Sequence, residues 1–397
     1  MLHAHPAVAL AGDGAFPFFK FLRNALAAKL GLGHSFDFDE PLHDYYFDRR
    51  RLFTGIQEAD LEVAIDAEEL ARLRALMQRW CTDNDQYAPW LAPHLDQLGG
   101  ETYGQVLAGL WPLVVRAYGG PDTAVAGIKE VWTGEFVPAL LRSDDQLKVI
   151  YLTRDPRGVA ASKKHRAEKY PWLFMGRQWR KLAALGWLYG RGASPARART
   201  LALRFEDLIT DPVGATEDIC RFLELDWHPA MVDPAGFVNG RGRPWRQNTA
   251  YQARGAAGFD PATCRRWRGA LARREIELIE FLCAPEMLLW DYELTGDWPP
   301  AAGADLILDP PAVPADELAG WITRTMDCSA AYTAEALARE RLRYDLLDRG
   351  RGLELDRLGP LIERAFLTRE VFKALLETAE GRGPGATPTR EGDRRER

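Results

Sequence analysis

The sequence predicts an α/β fold: a parallel sheet flanked by helices, with a C-terminal helical extension. Three observations carry this. Short apolar or β-branched runs at residues 123–132, 148–153 and 201–205 read as buried strands. Helical patterns alternate with these runs, which argues for a parallel sheet with helices on both faces. Beyond residue 297 a Pro-rich stretch, WPPAAGADLILDPPAVP, sets off a last group of helical patterns.

At 397 residues the chain can bury one large core or two smaller ones. Its composition is ordinary for a soluble globular protein. No apolar run reaches the ~18 residues of a membrane helix, and no basic stretch leading into an apolar one opens the chain. A cytoplasmic location is expected. Cys81, Cys220, Cys264, Cys283 and Cys328 are scattered, with no C-x-x-C pair. Neither a zinc site nor a disulfide framework is indicated, no metal is expected, and most of the cysteines read as buried thiols.

The net charge of −6 is unevenly spread. Residues 154–204 hold 13 Lys/Arg against Asp155 and Glu168, and residues 241–275 hold nine Arg against Asp260 and Glu275. Concentrated positive charge in an acidic protein fits a polyanionic ligand held in one cleft. The basic segments carry no helix-turn-helix, zinc-finger or RNA-motif signature, so no nucleic-acid partner is expected.

In chain order, residues 1–22 open in what reads as the tail of a helix, pass through an apolar strand and reach Gly12-Asp13. His3 and His5 read as a helix-end pair before a proline turn rather than as catalytic groups. Residues 66–80 form an amphipathic helix with Asp66 as N-cap and Leu70, Leu73, Leu76 and Met77 on one face. A loop with Tyr87, Trp90 and Pro93 leads to a second helix over 102–118. The strand at 123–132 carries Lys129 near its end, as a snorkelling edge lysine or as a site group. Residues 169–190 are a tryptophan-rich, basic helical region, and 213–223 is a helix packing back on the sheet. Residues 237–268 are long for a structureless loop, and such loops are usually functional or disordered. Helices follow at 271–282, 315–326, 333–347 and 360–376. Residues 382–397 are Gly-, Pro- and charge-rich and read as disordered.

The stretch LKVIYLTRDPRGVAASKKHR, residues 147–166, organises the rest. A buried strand ends at Arg154. Asp155 and Pro156 suit the N-cap and first position of a helix that continues through Ser162. A helix N-terminus offers free N–H groups and partial positive charge, and Arg154 adds a forked donor. Spacing alone leaves two readings: an anion site, or a capped surface turn.

This stretch resembles the 3′-phosphate motif of sulfotransferases that use 3′-phosphoadenosine 5′-phosphosulfate (PAPS). Residues 201–227, LALRFEDLITDPVGATEDICRFLELDW, resemble the same family's strand, E-D-L, D-P and helix segment. The likeness extends more loosely over residues 1–294. It implies a P-loop nucleotide-hydrolase-like fold of sulfotransferase type over residues 1–297. A linker at 298–314, a helical accessory unit at 315–380 and a disordered tail at 381–397 complete the expected organisation. By the resemblance, Arg154 and Ser162 hold the 3′-phosphate and Lys129 approaches the transferring sulfuryl group. Asp13 matches the glutamate of the family's G-E pair, one methylene shorter, as catalytic base. The W-R-Q-N-T segment offers Trp245, Arg246 and Thr249 to the nucleotide.

In the family, a strand and a Gly-rich loop for the 5′-phosphosulfate precede a segment like M-L-x-A-H-P. Met1 falls where that first helix is finishing, so a truncated N-terminus is expected, and no G-x-x-x-x-G-K-[ST] loop occurs later. The implied activity is transfer of a sulfuryl group from PAPS, as co-substrate, to a hydroxyl of a small-molecule or carbohydrate acceptor. Two alternatives stand beside it: a catalytically inactive sulfotransferase-like binding or scaffold protein, and a nucleotide or sugar kinase of the wider P-loop class. Acceptor identity and oligomeric state stay open, a homodimer included.

Overall fold

The computed structural model describes residues 1–32, 50–83, 87–131, 133–164, 172–244, 258–296, 298, 300, 330–349 and 355–380. The expected linker apart from Trp298 and Pro300, the expected helix at 315–326, the tail at 381–397, and Trp245, Arg246 and Thr249 lie outside them.

Strand β1 (Val8–Gly12) pairs in parallel with β2 (Val125–Lys129), and β3 (Val149–Thr153) with β4 (Thr200–Arg204). Among the described residues these are two separate two-stranded sheets. Their helical cover includes α1 (Phe16–Lys29), α2 (Arg50–Glu58), α3 (Ala67–Asp83), α4 (Tyr103–Tyr118), α5 (Val137–Ser143) and α6 (Pro156–Lys164). Further along come α7 (Trp172–Gly190), α8 (Phe205–Thr210), α9 (Pro212–Leu223), the short α10 (Trp267–Ala270) and α11 (Arg273–Leu289). The C-terminal part supplies α12 (Ala330–Arg349), α13 (Leu355–Ala365) and α14 (Arg369–Glu380). The strands sit close to their expected places, but β2, β3 and β4 are mostly half-exposed rather than buried, since among the described residues they form two-stranded sheets and not one wide sheet. The third expected strand is shifted by one residue: Thr200 opens it, and Phe205 opens α8 instead of closing the strand.

Local chemistry sets the helix ends. Asp66 Oδ1 accepts from Glu69 N at 2.8 Å, and Thr102 Oγ1 from Gln105 N at 3.3 Å. Asp211 Oδ1 does the same for Gly214 N, with Pro212 in the first turn of α9. Helix α1 closes in a Schellman motif: Leu32 N donates to Ala27 O and Gly31 N to Ala28 O. The turn needs φ of +64° at position 31, which glycine adopts without a Cβ penalty.

Helix α4 packs on β1 and β2, and α7 on β3 and β4. One apolar core takes in Phe18, Phe19 and Leu22 of α1, Leu73 and Met77 of α3, Val106 and Leu110 of α4, and Ile279 and Leu282 of α11. The C-terminal helices share it through Leu346, Ile362, Phe366, Val371 and Phe372. The single helix expected over 360–376 is two helices broken at Phe366–Thr368. Thr368 is the reason: its Oγ1 accepts from Val371 N at 3.1 Å, capping a fresh N-terminus.

The seam between α12 and the rest of the chain is charged. Arg180 on α7 pairs with Glu340 on α12 at 2.6 Å, and Arg343 on α12 with Glu286 on α11 at 2.7 Å. Both pairs are buried, as is Lys181–Glu135 at 3.2 Å. Apolar burial drives the docking, and these pairs fix its register, because a slipped helix would leave charges buried without counter-ions.

Candidate active site

The four described strands lead at their C-terminal ends into the candidate site residues: Asp13 follows β1, Lys129 ends β2, Arg154 follows β3, and Phe205 and Glu206 follow β4. Ligands of open parallel sheets bind beyond this end of the strands.

The β1–α1 turn is held at every step. Asp13 has φ of +50°, uncommon for a residue other than glycine but tolerated by Asp. Its N–H donates to Lys129 O at 2.6 Å, and its carbonyl accepts from Trp80 Nε1 at 2.7 Å. Cys81 Sγ donates to Gly14 O at 3.7 Å, and Ala15 N donates to Glu130 Oε1 at 2.5 Å. Glu130 thus caps α1 from the end of β2. Its Oε2 is shut off from solvent with no hydrogen-bond partner among the described residues. Burial, and then the charge of Asp13, push the Glu130 carboxyl well above the usual range. Lys129 Nζ donates to both carboxylate oxygens of Asp13, at 2.8 and 2.6 Å. The two residues expected beside the reacting group are therefore in direct contact.

At the β3–α6 turn, Asp155 Oδ1 accepts from Arg157 N at 2.8 Å, the cap its sequence position implied. Arg157 forks onto Asp155 and reaches Glu280 on α11 at 2.6 Å, with its guanidinium 4.1 Å from the centre of the Trp267 ring. Asp155 N donates to Glu206 Oε1, and Tyr292 OH to Glu206 Oε2. Burial raises the Glu206 carboxyl above its ordinary value.

Arg154 is the side chain this framework presents. Trp179 Nε1 fixes its carbonyl at 2.8 Å. Its guanidinium lies 4.5 Å from the centre of the Phe205 ring. It also runs close to Gly158, where a Cβ would lie 3.0 Å from Nε. Ser162 is four residues past Gly158, one helical turn further along the same face. Arg154 Nε is buried and has no hydrogen-bond partner among the described residues. The structure thus brings Asp13 to Lys129 and aligns Arg154 with the helix face of Ser162. His5 has a structural place: its Nε2 meets Asp226 O at 2.8 Å and its Nδ1 accepts from Ala7 N.

Glu130, Gly158, Phe205 and Trp80 were not legible as site residues. The first follows Lys129 directly and the third opens the F-E-D-L run, but neither carries a local signal for a partner 115 or 51 positions away. Among the described residues no group of His, Cys, Asp and Glu gathers as a metal set, and no helix is long and apolar enough to cross a membrane.

A family model described as the sulfotransferase family matches residues 1–229, more than half of the 397-residue chain. The chain belongs to the sulfotransferase family. Among solved structures it is similar to the sulfotransferase domain from the curacin biosynthetic pathway, with 17% identity and a TM-score of 0.37 over 73% of this chain and 99% of that one. It is also similar to the sulfotransferase domain from the Synechococcus PCC 7002 olefin synthase, with 20% identity and a TM-score of 0.36 over 72% of this chain and 94% of that one. No curated protein matches it.

Proposed function

We propose that this protein transfers a sulfuryl group from PAPS to a hydroxyl of a small-molecule or carbohydrate acceptor. The observation that carries the reading is Arg154: a side chain set beside Gly158 in the N-terminal turn of α6, one helical turn before Ser162, with a buried Nε that no described protein group satisfies. A buried donor left without a partner is costly, and a phosphate oxygen would satisfy it. In this reading Arg154 and Ser162 hold the 3′-phosphate, and the segment with Trp245, Arg246 and Thr249 contributes to the nucleotide.

Asp13 takes the proton of the acceptor hydroxyl as its oxygen attacks sulfur. The bond from sulfur to the bridging phosphate oxygen breaks, releasing adenosine 3′,5′-bisphosphate and a sulfate ester. Lys129 holds Asp13 before the acceptor arrives and stabilises the charge that develops on the leaving oxygen. The chemistry needs positioning more than covalent help from the protein. Residues 1–297 form the catalytic part in this reading and residues 315–380 an accessory unit, whose described helices α12, α13 and α14 share the apolar core.

Calorimetry with adenosine 3′,5′-bisphosphate tests this. Wild type should bind, and Arg154→Ala should lose roughly 1.5–3 kcal/mol, the worth of a charge-assisted contact. Unchanged affinity in the variant would remove Arg154 from the site. A second reading, a sulfotransferase-like binding protein without turnover, draws on the sequence, which contains no G-x-x-x-x-G-K-[ST] loop. Binding without any transfer of label from radiolabelled PAPS to a panel of hydroxyl acceptors is its signature.

A further inference from the structure

Arginine side chains are long, and a flexible guanidinium pays rotamer entropy each time it grips an anion. Arg154 is not free to roam. Phe205, the first residue of α8, puts its ring 4.5 Å from the guanidinium carbon. Gly158, in the first turn of α6, lies under the same side chain, and a methyl group there would sit 3.0 Å from Nε and 3.5 Å from Nη2. Such a methyl group would displace the arginine from its present position against the Phe205 ring. Gly158 has no conformational reason to be glycine, since it stands inside a regular helix and its φ is not positive. A glycine there is otherwise a cost to the helix. What its bare Cα offers is room for Arg154.

We propose that Gly158 and Phe205 are positioning residues for Arg154, the ring packing against its guanidinium and the bare Cα leaving room for it beside the helix, so that its donors meet the anion. This rests on the reading of Arg154 as the 3′-phosphate ligand. The two residues come from elements that follow different strands, β3 and β4, so the parallel pairing of those strands sets the slot's width.

The test pairs two readouts on the full chain: the dissociation constant for adenosine 3′,5′-bisphosphate by calorimetry, and the thermal midpoint. Gly158→Ala adds a better helix former, so the midpoint should hold or rise while binding weakens by about five-fold or more. Phe205→Leu, which keeps an apolar side chain but removes the ring face, should weaken binding similarly. Phe205→Tyr, which keeps the face, should bind like wild type. A Gly158→Ala protein with wild-type affinity overturns the proposal. So does one that loses midpoint and affinity together, because that is the mark of a general packing role. Failure of wild type itself to bind, with the fold intact, counts instead against the nucleotide reading on which the proposal stands.

Discussion

Lys129 grips Asp13 by both carboxylate oxygens, at 2.8 and 2.6 Å, across the paired C-terminal ends of β2 and β1. The lysine is half exposed, so the pair adds little to stability, of the order of 0–1 kcal/mol. Its place at the strand ends suits chemistry better than structure.

Lys129→Met and Asp13→Asn should therefore each lower turnover by about 10²–10³-fold, the loss typical of one preorganised group. Calorimetry should find the affinity for adenosine 3′,5′-bisphosphate within about two- or three-fold of wild type, the small spread typical of sites that share no partner. Parallel losses of binding and turnover would give the pair a structural role.

Glu130 supports the neighbouring turn. Glu130→Ala removes the cap of α1 and should cost about 0.5–2 kcal/mol in denaturant unfolding. Glu130→Gln keeps an acceptor for Ala15 N and should cost much less. The pH dependence has a definite sign. The folded carboxyl titrates above its ordinary value of 4.5, so as pH rises past that value the unfolded chain ionises first and the fold loses stability. Gln should flatten that decline. Glu135 and Glu206 are displaced in the same direction and keep part of the slope. A Gln variant whose stability falls with pH as steeply as wild type would mean Glu130 ionises normally in the fold.

The charged seam under α12 predicts a large penalty for half-removal. Arg343→Met removes the counter-ion that Glu286 has among the described residues, and should destabilise by about 3–5 kcal/mol. The double variant Arg343→Met, Glu286→Leu should recover much of this. Additive losses in the double variant would show that the two side chains do not act as a pair.

Cys264 offers a reporter. It is half-buried, whereas Cys81, Cys220 and Cys283 are buried. Burial raises its thiol above the ordinary value, with Glu206 and Arg154 among the charges it feels. Iodoacetamide should label it ahead of those three, and adenosine 3′,5′-bisphosphate should slow the labelling. Peptide mapping separates it from Cys328. A labelling rate indifferent to saturating nucleotide would place the ligand away from Arg154.

Much of this was legible because it is local. The caps at Asp66, Asp155 and Pro156 depend on neighbours within three residues, and the apolar strands on runs of five. Lys129 and Asp13 were named one by one, through resemblance, and only the register Gly12↔Lys129 makes them touch. The slot around Arg154 joins positions 154, 158 and 205, and no periodicity in the sequence encodes a ring facing an arginine across two strands. The break before α14 was readable in retrospect, since Thr368 is an N-cap type, but apolar spacing on both sides hid it.

The ion pairs beneath α12 also bear on how the molecule responds to heat. Charged groups are hydrated less favourably as water warms, so the penalty for keeping Arg180, Glu340, Arg343 and Glu286 dry shrinks with rising temperature. Their mutual attraction does not shrink with it. A host growing warm would find this joint comparatively tight at temperatures where half-exposed strands such as β2 and β3 have begun to fray.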